Sequence, residues 1–259
     1  MRQTRFGTGG AHIRWTEAAG SGQTEWDGPA RVHVHGLGAA SGAYTAHLTA
    51  DPLLSGRRTL FVDLPGFGLS DRPADFGYTL EEHADAVACV LDAAGVRGAE
   101  LIGHSMGGAV AIVLAHRRPE LVSRLVLAEA NLDPAPPQAT QDSSAIATWS
   151  EEEFVHGGGF AATLERVGWL WAATMRTSDP LALHRSATAL VRGTQPTMRA
   201  MLESLTGIPR TYLVGERSGE DGVDRAGLEA AGVEVVTVPE AGHCVMFDNP
   251  AAYARAIAA

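Results

Sequence analysis

Cysteine is scarce. Cys89 and Cys244 are the only two in 259 residues, too few for a disulfide framework, and neither sits in a metal-ligand spacing. No apolar run approaches the roughly 20 residues needed to cross a bilayer. Residues Met1 to Gly22 are polar and glycine-rich and lack the apolar segment that a translocon would recognise. The expected address is therefore cytoplasmic, with no membrane partner. Clustered basic charge is also missing. The formal net charge is -10, and the adjacent basic pairs, Arg57-Arg58 and Arg117-Arg118, read as solvated element ends. A nucleic-acid partner is not expected on such a surface. What remains, 45% hydrophobic and 19% charged residues, fits a globular chain able to bury one sizeable core.

Strand and helix signals alternate along the chain. His12 to Glu17, Arg31 to His35, Thr59 to Val62, Glu100 to Ile102, Leu125 to Ala128, Thr211 to Val214 and Val233 to Val238 read as strands. Thr79-Leu80-Glu81-Glu82 is a capping box that opens a helix with apolar residues at Leu80, Ala84, Val87, Ala88 and Leu91, and Gly95 is its natural stop. Cys89 falls within that helix and reads as a small buried apolar residue. Such alternation implies an α/β fold, a mostly parallel sheet flanked by helices, with ligand bound beyond the carboxyl ends of the strands.

The alternation breaks from Leu132 to about Ser204, opening with Asp133-Pro134-Ala135-Pro136-Pro137. This predicts a core of residues 1-131 and 205-259 interrupted by a small helical cap, 132-204. The cap contains Trp149, Phe154, Phe160, Trp169, Trp171 and Met175, which either glue it to the core or line an apolar pocket. Gly157-Gly158-Gly159 either hinges it or joins two of its helices.

Ser105 lies in Gly103-His104-Ser105-Met106-Gly107-Gly108, between an apolar strand and a helix. A Gly-X-Ser-X-Gly turn there exposes the serine on a tight corner at the strand's carboxyl end, as a nucleophile requires. Serine is a poor nucleophile without a base, and His243, following the last strand by a short loop, is the best placed of ten histidines. His35 and His104 flank the turn and read as loop-orienting. A nucleophilic Cys244 is disfavoured because Ser105 already occupies the turn.

With His35-Gly36-Leu37-Gly38, Asp63-Leu64-Pro65-Gly66-Phe67-Gly68-Leu69-Ser70 and Pro239-Glu240-Ala241-Gly242-His243 in the same order, the chain resembles the α/β-hydrolase superfamily over nearly its whole length. The resemblance implies a nucleophile at Ser105, a base at His243 and an oxyanion hole made by the backbone amides of Leu37 and Met106. The chain departs from the commoner pattern at the acid. The loop Gly215-Glu216-Arg217-Ser218 has serine where many relatives carry aspartate. Asp221, or with less support Glu220, could fold back from that loop. Glu129, ending an apolar strand at the active edge, is the preferred acid, as in haloalkane dehalogenases and zearalenone-type lactonases of the superfamily. A carboxylate in that position is costly unless paired; its bland alternative is a helix cap.

The expected function is serine hydrolysis of a small, neutral or apolar ester or lactone, without cofactor or metal. A carbon-carbon bond hydrolase of a ring-cleavage dienoate is the alternative enzyme, and would need an arginine from the cap, such as Arg176, Arg185 or Arg192. A dehalogenase or epoxide hydrolase would carry aspartate at the turn. A weakly catalytic ligand-binding receptor on the same fold is the alternative from another class, and the presence of both Ser105 and His243 argues against it.

Overall fold

Successive strand residues point to opposite faces of a sheet, so a strand with apolar residues at every position must be covered on both sides. The computed structural model describes residues 1-18, 28-134, 143-218 and 223-259. Among them eight strands form one sheet: β1 (Arg2–Arg5), β2 (His12–Ala18), β3 (Arg31–Val34), β4 (Thr59–Asp63), β5 (Ala99–His104), β6 (Val122–Ala128), β7 (Arg210–Gly215) and β8 (Glu234–Val238). Their order is β1-β2-β4-β3-β5-β6-β7-β8. β2 is antiparallel to β1 and β4, and every other pairing is parallel.

Leu101, Leu125 and Leu127 pack on one face with α2 (Leu80–Ala93) and α3 (Met106–Arg117). Ile102, Val126 and Ala128 go to the other, against Tyr44 of α1 (Ser41–Thr45) and Tyr253 and Ile257 of α11 (Pro250–Ala258). α3 is buried continuously from Met106 to Ala115, which explains why its sequence is apolar all round. α2 opens on the Thr79 and Glu82 capping box. It closes on Gly95 at φ +65°, where the Gly95 and Val96 amides donate to the Asp92 and Leu91 carbonyls in a Schellman arrangement.

Between β6 and β7 run a 3-10 turn (Ser143–Thr148), α4 (Glu151–Val155), α5 (Gly159–Arg166), α6 (Trp169–Met175), α7 (Pro180–Arg192) and α8 (Met198–Ser204). Ser150, Asp179 and Thr197 cap α4, α7 and α8. Buried Phe154, Met175, Leu183 and Met198 join the same apolar cluster as Leu101, so these helices share the sheet's core. Phe154 meets Phe160 edge to face at 6.1 Å, while Trp169 is 82% exposed. Gly157 and Gly158 connect α4 to α5. After β7 come α9 (Arg225–Ala230) and α10 (Val245–Asp248). No described helix is long and apolar enough to cross a membrane.

Two features differ from the sequence expectation. β1 has no counterpart there, because Arg-Gln-Thr-Arg is a largely exposed edge strand with no apolar alternation, held by its register on β2. Arg57 and Arg58 are not solvated ends. Arg57 bonds Glu100 at 3.1 Å, and Arg58 pairs with Glu17 and donates to the Ala94 carbonyl.

Candidate active site

Ser105 stands between β5 and α3 with φ +53° and ψ -123°. A non-glycine residue in such sparsely populated positive-φ backbone costs about 1–3 kcal/mol, and here it is held by the Ser105 amide donating to the Ala128 carbonyl at 2.9 Å. The tightness of the turn requires glycine at 107, where a side chain would overlap the Val34 and His35 carbonyl oxygens. Met106 is the first residue of α3, so its amide belongs to the helix end whose donors lack intrahelical partners.

The loop after β3 lies against this corner. A methyl on Gly36 would sit 3.1 Å from Ser105 Cβ and 3.2 Å from His104 Nδ1. His35 fixes the loop: its Nδ1 donates to the Gly36 carbonyl at 2.7 Å, while its Nε2 accepts from the Leu64 amide at 2.9 Å. Burial lowers its pKa, against the opposing charge of Asp63 and the Gly36 bond. α6 covers the loop from the other side. Trp171 Nε1 donates to the Leu37 carbonyl at 2.7 Å, and Gly38 leaves no room for a side chain beneath the same indole.

Glu129 also has left-handed backbone, φ +52°, one residue beyond β6, with its amide donating to the Leu213 carbonyl at 2.9 Å. Its carboxylate is 11% exposed and lies 3.5 Å from His243 Nδ1. The other oxygen, Oε1, accepts from the Gly215 amide at 2.6 Å. Burial, the largest influence, raises the Glu129 pKa, but hydrogen bonds from His243 and Gly215, the His243 charge and the Ser218 hydroxyl together hold it below the ordinary glutamate value. The carboxylate is thus charged and oriented. Asp221 and Glu220 lie outside the described residues.

The loop bearing His243 is strapped to the end of β7. The Arg217 amide donates to the Ala241 carbonyl at 2.7 Å and the Glu240 amide to Glu216 Oε2 at 2.8 Å. Asp248 accepts from the Gly242 amide at 2.8 Å and pairs with Arg217 at 3.1 Å. Glu240 is itself left-handed, φ +54°, so three of the four described non-glycine residues at positive φ, Ser105, Glu129 and Glu240, surround this one edge. The neighbouring Cys244 thiol is pushed up to about 11, first by burial and then by the Asp248 and Glu129 charges, which makes it a poor thiolate.

The lowering influence of the Ser218 hydroxyl on Glu129, the Gly215 amide, and the indole of Trp171 were not anticipated. Ser218 was visible only as a departure, and a backbone donor leaves no mark in a sequence. Of the arginines between β6 and β7, Arg185 is tied to Glu151 at 2.9 Å and to the Ala74 and Phe76 carbonyls, while Arg176 and Arg192 are exposed.

Comparison with known proteins follows the same lines. The sequence profile of the alpha/beta hydrolase fold matches residues 32–181, more than half of the chain. A 2-hydroxymuconate semialdehyde hydrolase of Pseudomonas sp. (strain CF600) is 42% identical over 95 residues, 36% of this chain and 34% of that protein. The match therefore spans about a third of that relative's length. A thermophilic esterase from Thermogutta terrifontis superposes with a TM-score of 0.76 at 21% identity, covering 99% of this chain and 97% of that one. An enol-lactonase from Burkholderia xenovorans LB400 superposes with a TM-score of 0.73 at 19% identity, covering 96% of each chain. At such identities the superpositions speak for the fold alone. The strand order, the serine turn and the matched profile agree: the chain belongs to the alpha/beta hydrolase fold family.

Proposed function

We propose that this protein is a serine hydrolase acting on a small, neutral or apolar carboxylic ester or lactone through an acyl-enzyme. The observation that carries the reading is the Glu129 carboxylate 3.5 Å from His243 Nδ1 at the edge where Ser105 leaves β5. Ser105 Oγ attacks the substrate carbonyl carbon and its proton passes to His243 Nε2. Glu129 accepts the Nδ1 proton in a hydrogen bond, which selects the useful tautomer and stabilises the imidazolium. The Leu37 and Met106 amides receive the oxyanion, a contribution of about 3–4 kcal/mol for one such donor in comparable sites. Collapse expels the alcohol, which takes the proton back from His243, and water then cleaves the acyl-enzyme by the same exchange. The helices between β6 and β7 act as a cap over the Leu37 loop. No step calls for a cofactor or metal.

Carbon-carbon hydrolysis of a dienoate is the second reading, favoured by the 42% identical relative. Its substrate carboxylate calls for an arginine. The engagement of Arg185 with Glu151 and the exposure of Arg176 and Arg192 weigh against it.

A fluorophosphonate probe should label Ser105, and Ser105→Ala should abolish labelling and lower kcat by several orders of magnitude. A panel of p-nitrophenyl esters of increasing chain length, several lactones and one ring-cleavage dienoate then assigns the substrate. Turnover confined to esters or lactones supports the proposal. Labelling that survives Ser105→Ala, or a dienoate preferred above every ester and lactone, overturns it.

A further inference from the structure

His104 closes β5 immediately before Ser105, and its imidazole is buried. Its Nε2 lies 2.8 Å from the His243 carbonyl oxygen, and its ring packs on that of His243 with centroids 4.9 Å apart. A carbonyl can only accept, so the proton sits on Nε2 and Nδ1 is a bare acceptor. Nδ1 is buried and has no hydrogen-bond partner. A phenyl ring would fill nearly the same volume without an unpaired nitrogen. On packing alone, then, imidazole is the worse choice here, and its one compensation is the bond to the backbone of residue 243.

That bond has a distinct place among the restraints on the loop. The straps from Arg217 and Asp248 grip residues 241 and 242, and they tie the loop to the end of β7 and to α10. The bond from His104 grips residue 243 itself and ties it to the strand that ends in Ser105. The His243 side chain is 57% exposed and its contact with Glu129 is long, so packing around the ring does little to set its height above the serine. Burial keeps the His104 ring neutral, with a pKa pushed down to about 3. The ring therefore donates unchanged across the neutral range.

We propose that His104 is a positioning residue for His243: its Nε2–H fixes the backbone of the base relative to the serine turn, so that one strand sets the distance between the two. This rests on the reading of His243 as the general base. Misplacement by a fraction of an ångström is enough to slow a proton transfer, and about 1 Å can cost 100-fold.

His104→Phe keeps the ring and removes the donor. His104→Gln removes the ring but carries an amide Nε2 that reaches close to the same point. Both are measured beside His243→Ala, with p-nitrophenyl butyrate turnover, fluorophosphonate labelling rate and thermal unfolding as readouts. The expected pattern for His104→Phe is a kcat about 10- to 100-fold lower with KM within a factor of two. Labelling should slow in parallel, with a Tm equal to or above that of the native chain. His104→Gln should recover most of kcat. Native kcat in His104→Phe overturns the proposal, as does a loss that glutamine fails to restore and that tracks a lower Tm, since either result leaves His104 a packing residue. If His243→Ala retains native activity, the serine hydrolase reading itself fails, and the fault is then not with His104.

Discussion

At the amino ends of β3 and β5, Arg31 and Glu100 face each other in register and Arg57 closes on the same carboxylate. At the carboxyl ends of β5 and β6, by contrast, Ser105 and Glu129 sit in strained backbone before a histidine that is more than half exposed. Both edges bury a carboxylate. At the far edge the partners are guanidinium groups with further bonds, as in Arg31 Nη1 to the Leu54 carbonyl at 3.3 Å. Nearby, the buried Arg210 donates to the carbonyls of Leu202, Glu203, Ala231 and Gly232, ending two helices at once. The chain has no lysine, so all 20 of its permanently cationic side chains are arginine, the side chain suited to such planar, multiple bonding. At the near edge the carboxylate is held by an amide on one side and left to a titratable ring on the other. A buried charge whose partners stay charged serves the fold; one whose partner can gain and lose a proton serves chemistry.

The largest effect that would sharpen this contrast is Glu129→Gln. The shape is kept and the charge that steadies the imidazolium is lost, so kcat should fall by roughly 10³ to 10⁴ with Tm little changed. Asp221→Asn, measured alongside, should cost far less. A reversed ranking in equally stable proteins would move the acid to the later loop.

Glu100→Gln should do the opposite. Removing one partner of a buried pair leaves its mate, here Arg31, an uncompensated buried charge and costs about 3–5 kcal/mol of stability. Urea unfolding should show that loss while kcat of the folded protein stays within a factor of two. A kcat loss above tenfold would break the division between the two edges.

The protonation balance offers a smaller test. Burial drives His33, His83 and His104 each down to about 3, while an unfolded chain takes up protons near the ordinary histidine value of about 6.5. The unfolded state therefore binds more protons as pH falls. Each histidine contributes stability that is fully present above about pH 6.5 and is lost towards pH 3, at up to about 1.4 kcal/mol per pH unit. His104→Phe should remove one of the three contributions, so its stability advantage over the native chain should widen steadily below pH 6. A constant gap from pH 7 to pH 4.5 would show that His104 takes up its proton as readily in the folded state as in the unfolded one.

The serine turn and seven of the strands were legible because their signals are local: an apolar run, a glycine spacing, a capping box. Arg31 and Glu100 opened two of the expected strands with no local sign that they would meet. Their pairing across 69 residues of sequence follows from the register of β3 on β5. The same holds for His104, whose bond partner lies 139 residues away. β1 was hidden because an exposed edge strand needs no pattern of its own. The proposed acid was half legible. Glu129 stood out as a carboxylate ending an apolar strand, but that the serine at 218 influences it depends on two loops that meet only in the fold.

That pair yields the smallest expected effect. Ser218 occupies the place where many relatives carry aspartate, and its hydroxyl supports Glu129. An aspartate there would set a second negative charge beside the first, so serine is the residue compatible with an acid on β6. A hydrogen bond to a charged group is worth about 1.5–3 kcal/mol. Because Ser218 is exposed, the low end applies, and the Gly215 amide and His243 still hold the carboxylate. Ser218→Ala should therefore lower kcat by about tenfold or less with KM and Tm unchanged. A loss as deep as that of Glu129→Gln would make the hydroxyl the principal support of the histidine. No loss at all would mean that Glu129 is oriented by the Gly215 amide alone. Ser218→Asp should be worse than Ser218→Ala in the native background yet better in the Glu129→Gln background, where the new carboxylate has no rival. The sign change between those two backgrounds is the result that ties the departure at 218 to the acid at 129.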